Sequence, residues 1–273
     1  MPELPEVETV KRTLERYLLG RKIENVHVYY SKILANITVE ELKKKLINQT
    51  ITGMNRRGKW LIFEMNDYDL VSHLRMEGKY FLKDPNDEIT KHEHVTFTLD
   101  NGKELRYQDT RKFGRMYLFK KDTLYQELPL SEIGKEPWDD TLTESYLKEK
   151  LKDKRIPIKT SLLDQTIIAG IGNIYADEIL FLSGIHPLKS SSKLTKKNRE
   201  DIILSTRKIL GDAIEMGGTT IRSYESEKGV HGRFQQNLLI HTLTNCSRCN
   251  TPVEKIFVGG RGTYFCKNCQ KRR

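Results

Sequence analysis

The first residues of the chain, Met1-Pro2-Glu3-Leu4-Pro5-Glu6, combine groups that could do chemistry. If Met1 is removed, Pro2 presents a secondary amine, and an α-amino group with a pKa of about 8 is partly neutral and nucleophilic near pH 7. Attack of such an amine on a carbonyl-like carbon gives an iminium, a strong electron sink, and the adjacent Glu3 could move protons. A capped helix start explains the same residues, because Pro suits the first turn and acids suit the positive end of the helix dipole. The residue types alone leave both interpretations open.

Four cysteines form a second chemical cluster, close to the other end of the chain. They make two C-x2-C pairs separated by 16 residues: Cys246, Cys249, Cys266 and Cys269. This spacing is typical of zinc sites. Two disulfides would use the same residues, but the N-terminus has neither the basic nor the apolar region of a secretory signal, so we expect a cytoplasmic chain with reduced thiols. We therefore expect one structural Zn²⁺ with no open coordination position, and no nucleotide or redox cofactor.

Two glycine-rich runs resemble nucleotide-binding signatures, but their contexts argue against that use. Gly53–Lys59 fits the start of a P-loop, yet Trp60 replaces the magnesium-binding hydroxyl and a strand pattern follows where a helix is needed. On these grounds Lys59 is interpreted as a solvated basic strand end. Gly170–Tyr175 lacks the third glycine of a dinucleotide fingerprint and lies between helices. Its glycines permit close backbone approach, either to a phosphate at the next helix start or within a turn that simply packs well.

Two further motifs carry weaker signals. His92-Glu93-His94 has no third ligand nearby in the sequence, so we interpret it as ordinary polar strand residues or a phosphate contact rather than a metal site. Arg261 lies midway between the cysteine pairs, in Val258-Gly259-Gly260-Arg261-Gly262-Thr263, which predicts a hairpin turn. An isolated turn arginine is usually only solvated, but on a metal-held hairpin it could reach a phosphate.

The elements that must position these residues change character along the chain. Helical spacing of apolar residues predicts a helix over 6–19, ended by Gly20. Short strands with tight turns dominate 22–119, with one helix near 38–46, and predict an antiparallel sandwich. Helices are expected over 142–151, 160–183 and 195–216, and a Gly- and Ser-rich, then extended, segment over 217–245. We expect an α+β chain of three domains: a β-sandwich domain at 1–135, a helical domain at 136–235 and a zinc finger at 236–273.

Composition points to an anionic partner. The 273 residues include 47 Lys+Arg and 37 Asp+Glu, a net charge of +10, with 31% charged and 37% hydrophobic residues. These fractions exclude a disordered chain, and no apolar run is long enough for a membrane span. Residues 246–273 hold seven Lys/Arg and one Glu, a net of +6, which leaves 10 − 6 = +4 for the other residues. Because the surplus is concentrated on the cysteine-bearing tail, nucleic acid is favoured over charge kept only for solubility.

Eight segments carry a resemblance to a known family. In order they are MPELPEVETV, RRGKWLIFE, HLRMEGKY, KHEHV, DTRKFGR, IAGIGNIYADEIL, GGTTIRSY and CSRC…VGGRGTYFCKNC. Each is weak alone, but their ordered occurrence from residue 1 to residue 269 resembles the bacterial formamidopyrimidine-DNA glycosylase family. The related endonuclease VIII branch also begins with Pro-Glu, although the residues around Glu3 and Lys59 look more like the formamidopyrimidine branch.

The resemblance implies an N-terminal β-sandwich domain, a helical domain with a helix–two-turn–helix motif, and a zinc-finger hairpin. It implies a monomeric base-excision-repair enzyme that acts on double-stranded DNA, removes 8-oxoguanine and formamidopyrimidines, and nicks the strand. By position, Pro2 would attack C1′ and form a Schiff base, and Glu3 would be the general acid/base. Lys59 would donate a proton during β-elimination, and Arg261 would bind the phosphate and assist δ-elimination.

The resemblance also implies how the damaged nucleotide is turned out of the duplex. Met76, Arg111 and Phe113 would fill the gap that the nucleotide leaves. His92, Lys154 and Asn173 would contact the DNA backbone, and residues from Gly217 to about Phe234 would close over the base. A nucleoid-associated location in the bacterial cytoplasm follows. The alternatives are an endonuclease VIII-like enzyme for oxidised pyrimidines and a zinc-finger protein that binds DNA or RNA without catalysis.

Overall fold

The computed structural model describes residues 1–219 and 233–271. Within these residues the chain forms two compact units. The first contains residues 1–2 and 6–131, and the second contains residues 3–5, 132–219 and 233–271. The finer division into 1–135, 136–235 and 236–273 stays a prediction.

Two antiparallel four-stranded sheets make up most of the first unit. The strands are β1 Ile23–Val28, β2 Ile51–Arg57, β3 Trp60–Met65, β4 Tyr68–His73, β5 Lys79–Lys83, β6 Glu93–Leu99, β7 Glu104–Gln108 and β8 Arg115–Lys120. One sheet has the strand order β1-β6-β7-β5 and the other β2-β3-β4-β8. Both sheets contribute to one buried core, for example through Phe63 of one sheet and Phe97 of the other. The predicted antiparallel sandwich is confirmed.

Two helices accompany these sheets. Helix α1 runs over Leu4–Leu18, and its apolar residues from Val7 to Leu18 join the core of the first unit. Gly20 follows with φ +78°, which explains why the helix ends where the sequence indicates. Helix α2, Val39–Leu46, begins at a capping box in which the Thr38 hydroxyl accepts from the Glu41 amide and Glu41 binds back to the Thr38 amide.

The second unit is built on helices. They are α3 Glu144–Leu151, α4 Ile158–Leu163, α5 Asn173–Leu182 and α6 Lys196–Glu215. The predicted helical stretch 160–183 is interrupted over 164–172, where Gly170 has φ +90°. Most of α5 is buried, so its apolar residues lie all around the helix rather than in a one-sided stripe.

A two-stranded hairpin follows near the end of the chain. Strand β9, Glu254–Val258, pairs antiparallel with β10, Arg261–Phe265. The turn consists of Gly259 and Gly260 with φ of +55° and +74°, values that a two-residue hairpin turn requires and glycine accepts freely. The hairpin predicted between the cysteine pairs is confirmed, with Arg261 next to its tip.

The extended segment expected in the later part of 217–245 is wrong, because its described part contains the 3-10 helix Arg233–Asn237 and then turns. The reason lies in the buried Glu178 carboxylate of α5. It accepts hydrogen bonds from the amides of Leu239, Ile240 and His241 at 2.6, 3.0 and 2.8 Å, and thereby binds backbone groups that a strand would pair with another strand.

Candidate functional site

The Glu3 carboxylate is buried at the N-terminus of α5. Its oxygens accept hydrogen bonds from the amides of Gly172 at 2.7 Å, Ile174 at 2.9 Å and Tyr175 at 3.4 Å. Only 2% of Glu3 is exposed. The first amides of a helix have no partner within the helix, and the helix dipole favours negative charge there. The fold therefore holds an acid next to Pro2 in one fixed orientation.

The two glycines of Gly170-Ile171-Gly172 leave room for the N-terminal residues Glu3 and Leu4 to pack against this turn. A Cβ on Gly172 would lie 2.2 Å from the Glu3 carboxyl carbon, and one on Gly170 would lie 2.4 Å from a methyl carbon of Leu4. The Leu4 amide also donates to the Gly170 carbonyl at 3.1 Å. The sequence indicated a close approach to a phosphate or to a packed turn. In the structure the helix-start amides bind Glu3 of the same chain, so the phosphate interpretation is wrong for these amides.

The hairpin that carries Arg261 is fixed from α5 and from α4. Asn173, the first residue of α5, donates from Nδ2 to the Gly262 carbonyl at 3.1 Å. Lys159 of α4 donates to the same carbonyl at 3.1 Å and to the Thr263 hydroxyl at 2.8 Å. Arg261 itself is exposed. The backbone on one side of Arg261 is therefore held rigidly while the guanidinium stays accessible.

A buried polar network completes this anchoring, and sequence reasoning missed it. Lys159 Nζ lies 2.7 Å from Asp177 Oδ1, and both side chains are fully buried. The other oxygen of Asp177 accepts from the Tyr264 amide at 3.1 Å and lies 2.7 Å from His241 Nδ1. Burial lowers the pKa of Lys159, while the Asp177 carboxylate opposes that shift. The available signal was the pair of acids, Asp177 and Glu178, inside an otherwise apolar helix.

The four cysteines converge as one ligand set. Their sulfur atoms all lie within 4.8 Å of one another, and neighbouring pairs are 3.5–3.8 Å apart. Zinc–sulfur bonds of about 2.3 Å in a tetrahedron place the sulfurs about 3.8 Å apart, so the set fits one four-coordinate Zn²⁺. All four thiols are free of disulfides, which removes that alternative. The geometry thus fits a structural ion that would hold together the two ends of the Arg261 hairpin through the predicted ligands Cys246, Cys249, Cys266 and Cys269.

Lys59 lies in the first unit, in the tight turn between β2 and β3, where Arg57 pairs with Trp60. Only 6% of Lys59 is exposed, so its interpretation as a solvated strand end is wrong. The turn is braced by Arg56, which donates to the Gly58 carbonyl at 3.0 Å and to Glu8 at 3.0 Å. A strand follows this turn, which confirms that the run is not a P-loop.

The three residues expected to fill a gap in DNA stand on two loops of the first unit. Met76 is half-buried between β4 and β5, whereas Arg111 and Phe113 are exposed between β7 and β8. The Arg111 guanidinium carbon lies 4.7 Å from the centre of the Phe113 ring, and 48% of Phe113 is exposed. One loop thus exposes an aromatic ring and a guanidinium side by side to solvent.

The remaining expected contacts are dispersed. His92 is half-buried before β6, and its carbonyl accepts from the Asp109 amide at 2.9 Å. In the same motif, His94 Nε2 lies 2.7 Å from the Asp109 carbonyl, so His94 is an ordinary structural residue. Lys154 belongs to the second unit and pairs with Asp164 at 3.3 Å.

Residues 220–232 of the expected closing segment lie outside the described part of the chain. Its two ends are described: the Phe234 amide donates to the Gly218 carbonyl at 3.1 Å, and the Arg233 amide to the Met216 carbonyl at 2.9 Å. The two described ends of the segment therefore lie together at the C-terminus of α6. Among the helices of residues 1–219 and 233–271, none has the length and apolar character needed to cross a bilayer.

Comparisons with known proteins cover nearly all of the sequence. Three family models match: "Formamidopyrimidine-DNA glycosylase N-terminal domain" over residues 1–116, "Formamidopyrimidine-DNA glycosylase H2TH domain" over 133–225 and "Zinc finger found in FPG and IleRS" over 246–272. A formamidopyrimidine-DNA glycosylase of Bacillus licheniformis is 47% identical over 275 residues, covering 100% of both chains.

Solved structures give the same result. Lactococcus lactis Fpg in complex with DNA containing N7-benzyl-Fapy-dG is similar with a TM-score of 0.92 and 42% identity, covering 99% of this chain and 100% of the other. The same Lactococcus protein in complex with DNA containing an abasic site matches equally, with a TM-score of 0.92, 42% identity and the same coverage.

Proposed function

The chain belongs to the formamidopyrimidine-DNA glycosylase family, and on that premise we propose that it removes oxidised purines from duplex DNA and then cleaves the strand. The substrates are 8-oxoguanine and formamidopyrimidines, and the second activity is that of an abasic-site lyase. We also infer that it works at the bacterial nucleoid, in the cytoplasm. The observation that carries the proposal is the buried Glu3 carboxylate, fixed beside Pro2 at the start of α5.

We assign the chemistry to the mature N-terminus. Once Met1 is removed, the Pro2 nitrogen forms a bond to C1′ of the damaged nucleoside, and the bond from C1′ to the base breaks as the base takes a proton. Glu3 protonates the departing ring oxygen, which opens the sugar and leaves an iminium between Pro2 and C1′. The fixed orientation of Glu3 supports this role because a proton donor must lie within hydrogen-bond reach of the atom it serves.

The iminium explains why one site could carry out both activities. It acidifies the C2′ proton, and loss of that proton expels the 3′ phosphate in a β-elimination. A second elimination releases the 5′ phosphate, and water then frees the Pro2 amine. We propose that Lys59 supplies a proton in the first elimination and that Arg261 binds the phosphate in the second. The burial of Lys59 and the anchoring of the exposed Arg261 hairpin support these roles.

Chemistry on a base requires that the nucleotide leave the stack. We propose that Met76 and Phe113 fill the space left behind and that Arg111 bonds the orphaned cytosine, since apolar wedges unstack base steps and a guanidinium offers several donors. We assign His92, Lys154 and Asn173 to the DNA backbone. For Asn173, the side chain that steadies the hairpin would at the same time lie at the DNA-facing start of α5.

The test is borohydride trapping on a duplex that contains 8-oxoguanine opposite cytosine. Reduction of the iminium should link protein and DNA covalently, and Pro2→Gly should lose most of both trapping and base excision. Pro85→Gly is the matched control, because Pro85 lies in an exposed turn of the first unit. Intact mass establishes that Met1 has been removed in each preparation.

Three outcomes would contradict the proposal. Undiminished excision by Pro2→Gly would refute the nucleophile. Trapping on oxidised pyrimidines but not on oxidised purines would assign the chain to the endonuclease VIII type. Specific DNA binding without any adduct, in protein that has lost Met1, would favour a binding protein without catalysis.

A further inference from the structure

A single buried carboxylate organises the loop that carries Arg111 and Phe113. Asp109 follows directly after β7 and is fully buried. Its Oδ1 accepts from the Arg111 amide at 3.0 Å, and its Oδ2 accepts from the amides of Phe113 at 2.9 Å and Gly114 at 2.8 Å. Three loop amides thus converge on one side chain. Without the Asp109 carboxylate, these three amides would have no helix or strand carbonyl to bind, because the loop belongs to neither a helix nor a strand.

Asp109 is itself held by β6 and by a residue just before that strand. Its amide donates to the His92 carbonyl at 2.9 Å, and its carbonyl lies 2.7 Å from His94 Nε2. Between the residues that Asp109 binds, Lys112 has φ +58°, a left-handed conformation that costs free energy for a residue with a Cβ. A loop with such a residue persists only when its surroundings fix it, and here the three bonds to Asp109 do so.

The same region touches the loop that carries Met76. The Tyr107 hydroxyl would lie 2.3 Å from a Cβ on Gly78 and 1.9 Å from a Cβ on Gly114, so this hydroxyl faces both loops at once. The Gly78 amide closes the Met76 loop by donating to the Leu74 carbonyl at 2.9 Å. Burial, with smaller effects from Tyr80 and Asp109, raises the pKa of Tyr107, so its hydroxyl keeps its proton at neutral pH.

We propose that Asp109 is a positioning residue that fixes Arg111 and Phe113 in the conformation needed to enter the duplex, beside the Met76 loop that the Tyr107 hydroxyl also faces. Arg111 and Phe113 are exposed and would otherwise pay the cost of ordering when they meet DNA. Because Asp109 is buried, it acts through the loop and does not touch DNA. The inference rests on the proposed function, since it assigns a device to the step that extrudes the damaged nucleotide.

The test compares a step that needs insertion with one that does not. Asp109→Asn keeps the size of the side chain but replaces one acceptor with an NH2 group that faces amide donors. Excision of 8-oxoguanine from duplex DNA requires the gap to be filled, whereas cleavage of an abasic site in a single strand does not. We expect the ratio of duplex excision to single-strand cleavage to fall about tenfold or more. Asp100→Asn, at an exposed aspartate of the same unit, should leave the ratio unchanged.

A double-mutant cycle with Phe113→Ala separates positioning from general support. If Asp109 acts through the loop, Asp109→Asn should cost duplex excision much less when Phe113 is already truncated. Fluorescence of 2-aminopurine placed beside the lesion should show slower unstacking in Asp109→Asn under single-turnover conditions. Tyr107→Phe, which keeps the carboxylate, should show a smaller change in the same ratio and provides the test if Asp109→Asn fails to fold.

Several results would overturn the inference. Unchanged duplex excision by both variants would do so, as would equal losses on duplex and single-strand substrates or full additivity with Phe113→Ala. Failure of the proposed function is distinguishable, because the wild-type protein itself would then leave the lesion duplex uncut and untrapped.

Discussion

Replacing Glu3 with glutamine should weaken the protein as well as its chemistry, because the carboxylate is a structural ligand of α5. Its two oxygens accept from three amides at 2.7–3.4 Å, two of them in buried hydrogen bonds and that of Ile174 in a part-buried one. A glutamine offers only one oxygen, so if that oxygen stays with Gly172 and Tyr175, an NH2 group faces the Ile174 amide. One buried donor left without an acceptor costs about 1–3 kcal/mol. Loss of the negative charge at the helix start adds about 0.3–1 kcal/mol.

The expected loss is therefore about 1–4 kcal/mol of unfolding free energy. For a chain of this size that corresponds to a fall in Tm of roughly 3–16 °C, at about 2–4 °C per kcal/mol. Differential scanning calorimetry of Glu3→Gln measures the fall in Tm directly. Glu24→Gln, at an exposed glutamate of β1, is the matched control and should melt with the wild-type protein.

A wild-type Tm in Glu3→Gln would refute the reasoning, since it would mean that the helix-start amides are satisfied equally well without the charge. The result also bears on kinetics. If the destabilisation is found, lost excision in Glu3→Gln cannot be assigned wholly to lost proton transfer, and activity must be compared at a temperature where both proteins are folded.

Three further predictions follow from the described contacts. Lys159→Met leaves Asp177 buried without its cation, so urea unfolding should show a loss of about 3–5 kcal/mol; a loss below about 1 kcal/mol would mean that the pair is not anchoring the hairpin. Burial, and to a smaller extent Arg75 and Lys59, lower the pKa of His73 to about 3. Because the pKa is depressed in the folded state, the contribution of His73 to the free energy of unfolding is complete above about pH 6.5. Below that pH the free energy of unfolding declines by up to about 1.4 kcal/mol per pH unit. His73→Asn should remove that slope between pH 6.5 and 5 in chemical denaturation, and an unchanged slope would contradict the neutral buried imidazole. Finally, Cys249→Ser or chelation should release zinc and abolish DNA binding by disordering the Arg261 hairpin, measured by metal analysis and fluorescence anisotropy; intact binding by metal-free protein would count against the structural role.

Much of the fold could be predicted locally. Helix α1 carries apolar residues at helical spacing, and the strands around Trp60, Phe97 and Leu118 are short, largely apolar runs between clear turn signals. The cysteine spacing likewise identified its ligand set, because two C-x2-C turns need only to come together. The extended segment expected before residue 245 was wrong, since its conformation depends on Glu178, which lies about sixty residues earlier in the chain.

The candidate site divides in the same way. Pro2, Glu3 and Arg261 could be singled out because their chemistry or their turn context is unusual at the level of residue type. Lys59 could not be judged, since the sequence shows a basic strand end while the structure shows a buried side chain. The sequence did not single out a role for Asp109, because an aspartate before a turn is common and only the folded loop brings three amides to it.

The sequence by itself determined which groups are available: an amine next to an acid at one end of the chain, four thiols and a concentrated positive charge at the other. These are properties of residue type and short spacing, and they need no partner distant in sequence. Only the tertiary structure decided where the acid lies and what holds the basic hairpin. Glu3 meets the start of α5 some 170 residues away, and Lys159 meets Thr263 across 104 residues. Burial of a polar group is favourable only when such distant partners satisfy it, so these assignments required the assembled fold.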